Sequence, residues 1–205
     1  MRVLLINGSP HKEGCTFTAL SEVAGALEKN GIETTLVHVG THPVAGCIAC
    51  GKCKSVDTGC VLAGEPYSTC FELVRNVDAL VIGSPVYFAG PAGTLCALLD
   101  RLFFSAKPFL KGKPAAAVVS CRRGGASATF DRLNKYFTVS QMPVVSSQYW
   151  NSVHGNTPDE VRQDLEGMQT MRVLGNNMAW LLKAMAASKE PWPAQEPLQR
   201  TNFIR

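Results

Sequence analysis

The sequence predicts one α/β domain, a doubly wound five-stranded parallel sheet in the order 2-1-3-4-5, and three observations carry that reading. Strand-like and helix-like segments alternate along all but the tail of the 205 residues, with no internal repeat. Three of the strand-like runs are unbroken apolar stretches, as expected where helices cover both faces of a parallel sheet. The other two are mixed in polarity and fall where that order puts the edges of the sheet.

Taken in order, VLLI (3–6) is the first strand, and Leu20, Val23, Ala24 and Leu27 recur at helical spacing after it. TTLVHV (34–39) is the second strand and an edge. ALVI (79–82) is the third, followed by the helical stripe Leu95, Leu98, Leu99 and Leu102. AAAVV (115–119) is the fourth, and PVVSSQYW (143–150) the fifth, at the other edge. The longest helix is expected to begin near Thr157, with Asp159 and Glu160 in its first turn. One face of it carries Val161, Leu165, Met168, Met171, Leu174, Met178, Leu181 and Met185. Residues 1–187 then form the domain, with a cysteine-rich insertion at 43–65 after the second strand. The tail 188–205, with Pro191, Pro193 and Pro197, is expected to run extended over a surface or a partner subunit.

Composition narrows the functional classes. With 46% hydrophobic and 18% charged residues the chain can bury a core without disulfide staples. The apolar run after Arg2 is broken by Asn7 and Gly8, too early for a signal peptide or a membrane span, so a cytoplasmic protein with reduced thiols is expected. A net charge of +4 with scattered Lys and Arg argues against nucleic-acid binding.

Ligands of such sheets bind beyond the carboxyl ends of the strands, near the switch in strand order. After strand 1, NGSPHKEGCTFTAL (7–20) leads into a helix whose first amides and dipole suit an anion; Ser9, Thr16 and Thr18 offer hydroxyls, His11 and Lys12 a positive edge. This is neither a P-loop nor a dinucleotide fingerprint, and it also reads as an ordinary capped turn. After strand 3, GSPVYFAGPAGTLCALLDR (83–101) holds Val86, Tyr87 and Phe88 in a loop that could wall a planar ring, or simply pack. After strand 4, SCRRGGASATF (120–130) combines close backbone approach at Gly124 and Gly125 with the charges of Arg122 and Arg123. Three loops suited to a phosphate, a ring and a ring edge make a mononucleotide pocket.

Half of the eight cysteines stand in GCIACGKCKSVDTGC (46–60), at Cys47, Cys50, Cys53 and Cys60. Disulfides, zinc, an iron–sulfur cluster or free thiols are all open to that composition. Two three-residue steps let three thiolates converge, a longer excursion returns the fourth, and Gly46, Gly51 and Gly59 let the backbone turn. Zinc more usually shows two separated pairs. Cys70 and Cys96 read as core residues, Cys121 as a neighbour of the pocket without a role, and His11, His38, His42 and His154 as structural or surface residues.

NGSP…GCTFTAL, GSPVYFAGPAGTLCALLDR and SCRRGG resemble the flavodoxin-like NAD(P)H-dependent FMN reductases, from residue 2 to about 187. The GSPVY and LLDR segment is the most specific part. The resemblance implies an FMN whose phosphate sits in the first loop and whose isoalloxazine sits in the other two. Those roles fall on Ser9, His11, Cys15, Thr16, Pro85, Val86, Tyr87, Phe88, Ser120, Gly124 and Gly125; Cys15 departs from the Asn frequent in relatives. The cysteine run resembles the compact motif of the iron–sulfur flavoproteins, which implies a [4Fe–4S] cluster on Cys47, Cys50, Cys53 and Cys60. It further implies a homodimer or homotetramer with the cluster of one protomer facing the FMN of another. The expected function is an FMN-dependent oxidoreductase passing electrons from a ferredoxin-like donor or NAD(P)H to small acceptors, with no catalytic side chain required. The alternatives are a cluster-free NAD(P)H-dependent reductase of quinones, azo or nitro compounds, and a non-catalytic flavin and thiol redox sensor. A simple flavodoxin-type shuttle is typically very acidic, and this chain is not.

Overall fold

The computed structural model describes residues 1–197, 199 and 201. Its elements are β1 (Arg2–Asn7), α1 (Cys15–Lys29), β2 (Glu33–His38), α2 (Tyr67–Arg75), β3 (Ala79–Tyr87), β4 (Gly90–Pro91), α3 (Gly93–Ser105), α4 (Lys107–Leu110), β5 (Ala115–Cys121), α5 (Ala126–Val139), β6 (Ser152–His154), α6 (Pro158–Gln163) and α7 (Leu165–Ala187). A single 3-10 turn, Lys52–Lys54, lies in the cysteine-rich insertion.

Side-chain alternation along the strands builds two cores. Leu4, Ile6, Leu80, Ile82, Ala117 and Val119 face one side, where α2, α3, α4 and α5 cover them. Val3, Leu5, Val81, Ala116 and Val118 face the other, covered by α1, α6 and α7. The parallel path β2-β1-β3-β5-β6 is the expected order 2-1-3-4-5. The short β4 folds back antiparallel onto the end of β3, pairing Val86 with Pro91 and Tyr87 with Gly90.

Two expectations are corrected. The fifth strand is Ser152–His154 rather than 143–150. Pro143 and Val145 still bond the backbone of Ala115, but the chain then lifts off the sheet. Ser146 and Ser147 are drawn to α7, where Ser147 donates to the Thr170 carbonyl at 2.7 Å and Asn177 donates to the Ser146 carbonyl at 2.9 Å. Asn151 brings the chain back, its side-chain amide bonding the Ala117 carbonyl at 3.0 Å. The long C-terminal helix is likewise two helices, because the Asp164 carboxylate accepts from Gly167 N at 3.0 Å and starts a new one. The break turns Leu165 outward, 76% exposed, although the heptad-like pattern placed it on the buried face.

Between Ser188 and Pro197 the tail has no regular structure, as its prolines require, and Trp192 sits beside Gly112. The part of the tail at 198, 200 and 202–205 lies outside the described residues. Among the described residues no helix is long and apolar enough to cross a membrane.

Cys70 on α2 is fully buried, and burial followed by the nearby Glu65 charge pushes its thiol up from 9.0 to about 12. A raised thiol contributes stability that is whole below its unfolded value and is lost as pH rises toward the folded one. Three pKa units correspond to about 4 kcal/mol, so stability is expected to fall between pH 9 and 12 by up to about that much from this group. Urea midpoints across that window should fall more gently for Cys70→Ala than for the wild type; equal slopes would contradict the assignment.

Candidate functional site

Three segments meet beyond the carboxyl ends of β1, β3 and β5. Gly8 N donates to the Gly83 carbonyl at 2.9 Å, joining the first loop to β3. The hydroxyls of Thr16 and Ser120 lie 2.8 Å apart, joining the start of α1 to the end of β5. Both are buried.

The first loop is tied down by its own polar groups. Asn7 accepts from Ser9 N at 3.0 Å and its side-chain amide donates to the Lys12 carbonyl at 3.1 Å, while the Ser9 hydroxyl accepts from His11 N at 3.1 Å. His38 Nε2 meets the Ser9 carbonyl at 2.8 Å, so this histidine is structural, as expected. No side chain caps α1. Its first amides, at Gly14, Cys15, Thr16 and Phe17, therefore remain available at the positive end of the helix dipole. Ser9 and Thr16 are enclosed and already bonded, but Ser9 keeps its own proton to donate, and the Thr16–Ser120 pair leaves one hydroxyl proton free. Cys15 donates to the Gly155 carbonyl at 3.8 Å. Burial, with a smaller contribution from the Glu160 charge, pushes its thiol up and keeps it neutral beside this anion-seeking turn.

The second segment differs from expectation. Pro85, Val86 and Tyr87 do not stand in a loop but continue β3, and only Phe88 and Ala89 form the turn into β4. Both turn residues have positive φ, 50° and 58°, as a two-residue type I′ connection requires. Neither is glycine, so the tip holds about 1–3 kcal/mol of backbone strain per residue of the kind concentrated at ligand sites. Phe88 is fully exposed and Tyr87 half exposed, two aromatic faces presented at the end of the sheet. Gly125, at φ 92°, precedes α5 and packs under this hairpin: a Cβ there would lie 2.8 Å from Val86 Cγ1 and 2.9 Å from Ala89 Cα. Gly124 beside it is open and exposed. Gly125 thus packs directly against the hairpin, and the open space is beside it at Gly124, where a flat ring could lie along the hairpin edge. Cys121 bonds the Arg123 carbonyl at 3.7 Å, and burial pushes its thiol up.

The cysteine-rich insertion forms a second site. Cys47, Cys50, Cys53 and Cys60 all line one cavity of about 190 Å³, together with Ile48, Val61, Arg101 and Phe104. Burial first, then the charges of Cys60, Cys47 and Cys50 in that order, push the Cys53 thiol up. Backbone amides already point at two of them, Ala49 N to Cys47 Sγ and Leu62 N to Cys60 Sγ, each at 3.4 Å. Gly59, at φ 72°, lets the loop pass close over α2, where a Cβ would meet the Phe71 ring and sit 2.8 Å from the Tyr67 hydroxyl. Among the described residues no group of three or more His, Cys, Asp or Glu side chains is arranged to hold a single metal ion. Tetrahedral zinc, with Zn–S near ~2.3 Å, draws four sulfurs to within about 3.8 Å of each other. A cluster takes each thiolate on a different iron, and four thiols lining one cavity are the donor set that such a group takes. An apolar cavity of about 150 Å³ already holds a benzene-sized guest, so the volume suffices for a small inorganic core.

Arg101 is the functional candidate that the motif reading passes over. It is 4% exposed on α3; Nη1 donates to the Ala45 carbonyl at 3.3 Å and Nη2 to the Leu62 carbonyl. Its signal in the sequence is a charge inside the stripe Leu95, Leu98, Leu99 and Leu102, three positions after Leu98, where an apolar residue is expected.

Residues 1–157 match the family described as NADPH-dependent FMN reductase. An iron–sulfur flavoprotein of Methanocaldococcus jannaschii is 30% identical over 193 residues, covering 89% of this chain and 98% of that one. An iron–sulfur flavoprotein of Methanosarcina thermophila is 28% identical over 194 residues, covering 93% and 100%. Among solved structures, RosB with a bound 8-demethyl-8-formylriboflavin-5′-phosphate superposes with a TM-score of 0.69 at 18% identity, over 100% of this chain and 96% of that one. An archaeal flavodoxin superposes with a TM-score of 0.60 at 13% identity, over 89% and 99%, which shows the flavodoxin-like fold. The sheet order, the three convergent loops and these matches agree: the chain belongs to the NADPH-dependent FMN reductase family, in its iron–sulfur flavoprotein branch, and is a flavin-dependent oxidoreductase.

Proposed function

We propose that this protein is an electron relay that couples FMN to a [4Fe–4S] cluster held by Cys47, Cys50, Cys53 and Cys60. The observation that carries the reading is the single cavity lined by all four thiols, distinct from the sheet-end loops to which this reading assigns the FMN. When bound, FMN exchanges a hydride or two single electrons and the cluster one electron at a time, so the pair joins two-electron and one-electron chemistry.

The side chains bind and orient. The first amides of α1, with Ser9, His11, Cys15 and Thr16, receive the phosphate, and the Thr16–Ser120 bond holds that turn in register with β5. Pro85, Val86, Tyr87 and Phe88 wall the isoalloxazine, and Ser120, Gly124 and Gly125 meet its edge. The amides of Ala49 and Leu62 stabilise negative charge on the sulfurs of Cys47 and Cys60. No side chain is required as acid, base or nucleophile.

The electron donor in this reading is a ferredoxin-like protein or NAD(P)H, and the acceptor a small molecule. The assembly is a homodimer or homotetramer. Support comes from Ile48, Val61 and Phe104, which border the cysteine cavity with exposures of 61%, 42% and 69%, an apolar surface that a second copy would cover. No nucleic acid or membrane enters this account, and a cytoplasmic location follows from the reduced thiols the cluster needs.

An anaerobic reductive titration tests the coupling. About three electrons per protomer are expected, two for FMN and one for the cluster. An endpoint of about two, with flavin at full occupancy, would identify the cluster-free reductase instead.

A further inference from the structure

The buried Arg101 guanidinium has no carboxylate partner among the described residues. The adjacent Asp100 is engaged elsewhere, accepting from the Tyr136 hydroxyl at 2.5 Å and lying 3.7 Å from Arg132. Arg101 instead spends two donors on the carbonyls of Ala45 and Leu62 and lies with its guanidinium carbon 4.4 Å from the centroid of the Tyr67 ring. Its Nε is buried without a hydrogen-bond partner. A guanidinium offers five donors and a full charge that cannot be discharged at ordinary pH, and a buried charge is tolerated only when something offsets it. Two carbonyls and a ring face are weak compensation for that.

What Arg101 does border is the four-cysteine cavity. Four thiolates around a [4Fe–4S]2+ core leave a net charge of about −2, the counter-charge this cation lacks. Ala45 and Leu62 stand just outside Cys47 and Cys60, so one side chain closes both ends of the ligand loop. We propose that Arg101 clasps the cysteine loop through the Ala45 and Leu62 carbonyls and supplies the positive charge that offsets the anionic cluster bound there. Arg101 is a positioning residue, acting on the cluster through charge and loop geometry. The inference rests on the cluster reading above.

The two roles separate in two variants. Arg101→Gln removes the charge and most of the fork; Arg101→Lys keeps the charge but cannot reach two carbonyls with planar donors. Cleavage of the cluster-free proteins by trypsin at the exposed Lys52 and Lys54 reads the clasp without any cofactor. Both variants are expected to be cut at least about tenfold faster there than the wild type, and an unchanged rate would overturn the clasp. After anaerobic reconstitution, the cluster of Arg101→Gln is expected to be harder to reduce, because a positive charge no longer favours the added electron. A tenfold shift in that equilibrium is 59 mV for one electron, to lower potential, while Arg101→Lys stays near the wild type.

A wild-type potential in Arg101→Gln would overturn the charge role and leave the cluster reading standing. Should Arg101→Gln retain no cluster, retention by Arg101→Lys supports the charge role and loss in both overturns it. A wild-type protein that assembles no iron or sulfide overturns the cluster reading itself, and the charge role with it, before any variant is compared.

Discussion

Replacing Cys53 with alanine is expected to strip iron and sulfide from the protein while FMN stays bound. Cys53 lines the shared cavity and, like Cys60 and unlike the exposed Cys47 and Cys50, is partly enclosed, so a solvent ligand replaces it less readily than those two. It sits in the single 3-10 turn Lys52–Lys54, which contributes no buried residue to either core, so its loss leaves the sheet and the nucleotide cradle intact. Iron is expected to fall from about four to below about one per protomer, with the apo-protein melting temperature moved by no more than a few degrees. Iron analysis and flavin absorbance on the same anaerobic sample check both halves. Full iron content in the variant would remove Cys53 from the ligand set.

The converse result is expected at the other site: Gly125→Val should weaken FMN binding while the cluster is retained. Gly125 stands at φ 92°, where a β-branched residue is strained by about 1–3 kcal/mol. The new Cβ would also press on Val86 and Ala89, within 2.9 Å of both, and push the hairpin away from the end of β5. At about 1.4 kcal/mol per tenfold, FMN affinity should drop by about 10- to 100-fold, measured by flavin fluorescence on apo-protein. The insertion carrying the cysteines packs against α2 and α3, away from Gly125, so iron content should be unaffected. Unchanged FMN affinity would move the isoalloxazine to another part of the surface. The two variants together separate the two cofactors, which a single misfolding effect could not do.

Much of this architecture was legible in the residues, for physical reasons that differ by element. The runs VLLI, ALVI and AAAVV are buried on both faces and so carry no polar interruption to mislead a reader. The fifth strand was misplaced because PVVSSQYW has strand-like composition, whereas the pairing is decided by Ser146, Ser147 and Asn177 pulling the chain to α7 and Asn151 returning it. The helix break was hidden because Asp164 interrupts an apolar period that continues on both sides of it. At the candidate site, the cysteine spacing predicts that the four thiols converge, and the structure draws all four into one cavity. The hairpin tip was not legible, since positive φ at Phe88 and Ala89 lacks the Asn or Gly that usually signals such a turn. Arg101 carries only a faint signal, one charge within the apolar stripe of α3, and only the tertiary structure shows it buried against the Ala45 and Leu62 carbonyls.

The central claim is most directly tested by iron and acid-labile sulfide per FMN, on protein purified without oxygen so that an exposed cluster survives handling. About four of each per flavin is the expected result. FMN with neither iron nor sulfide, after anaerobic reconstitution as well, would contradict the account and leave a flavin reductase with an idle cysteine loop.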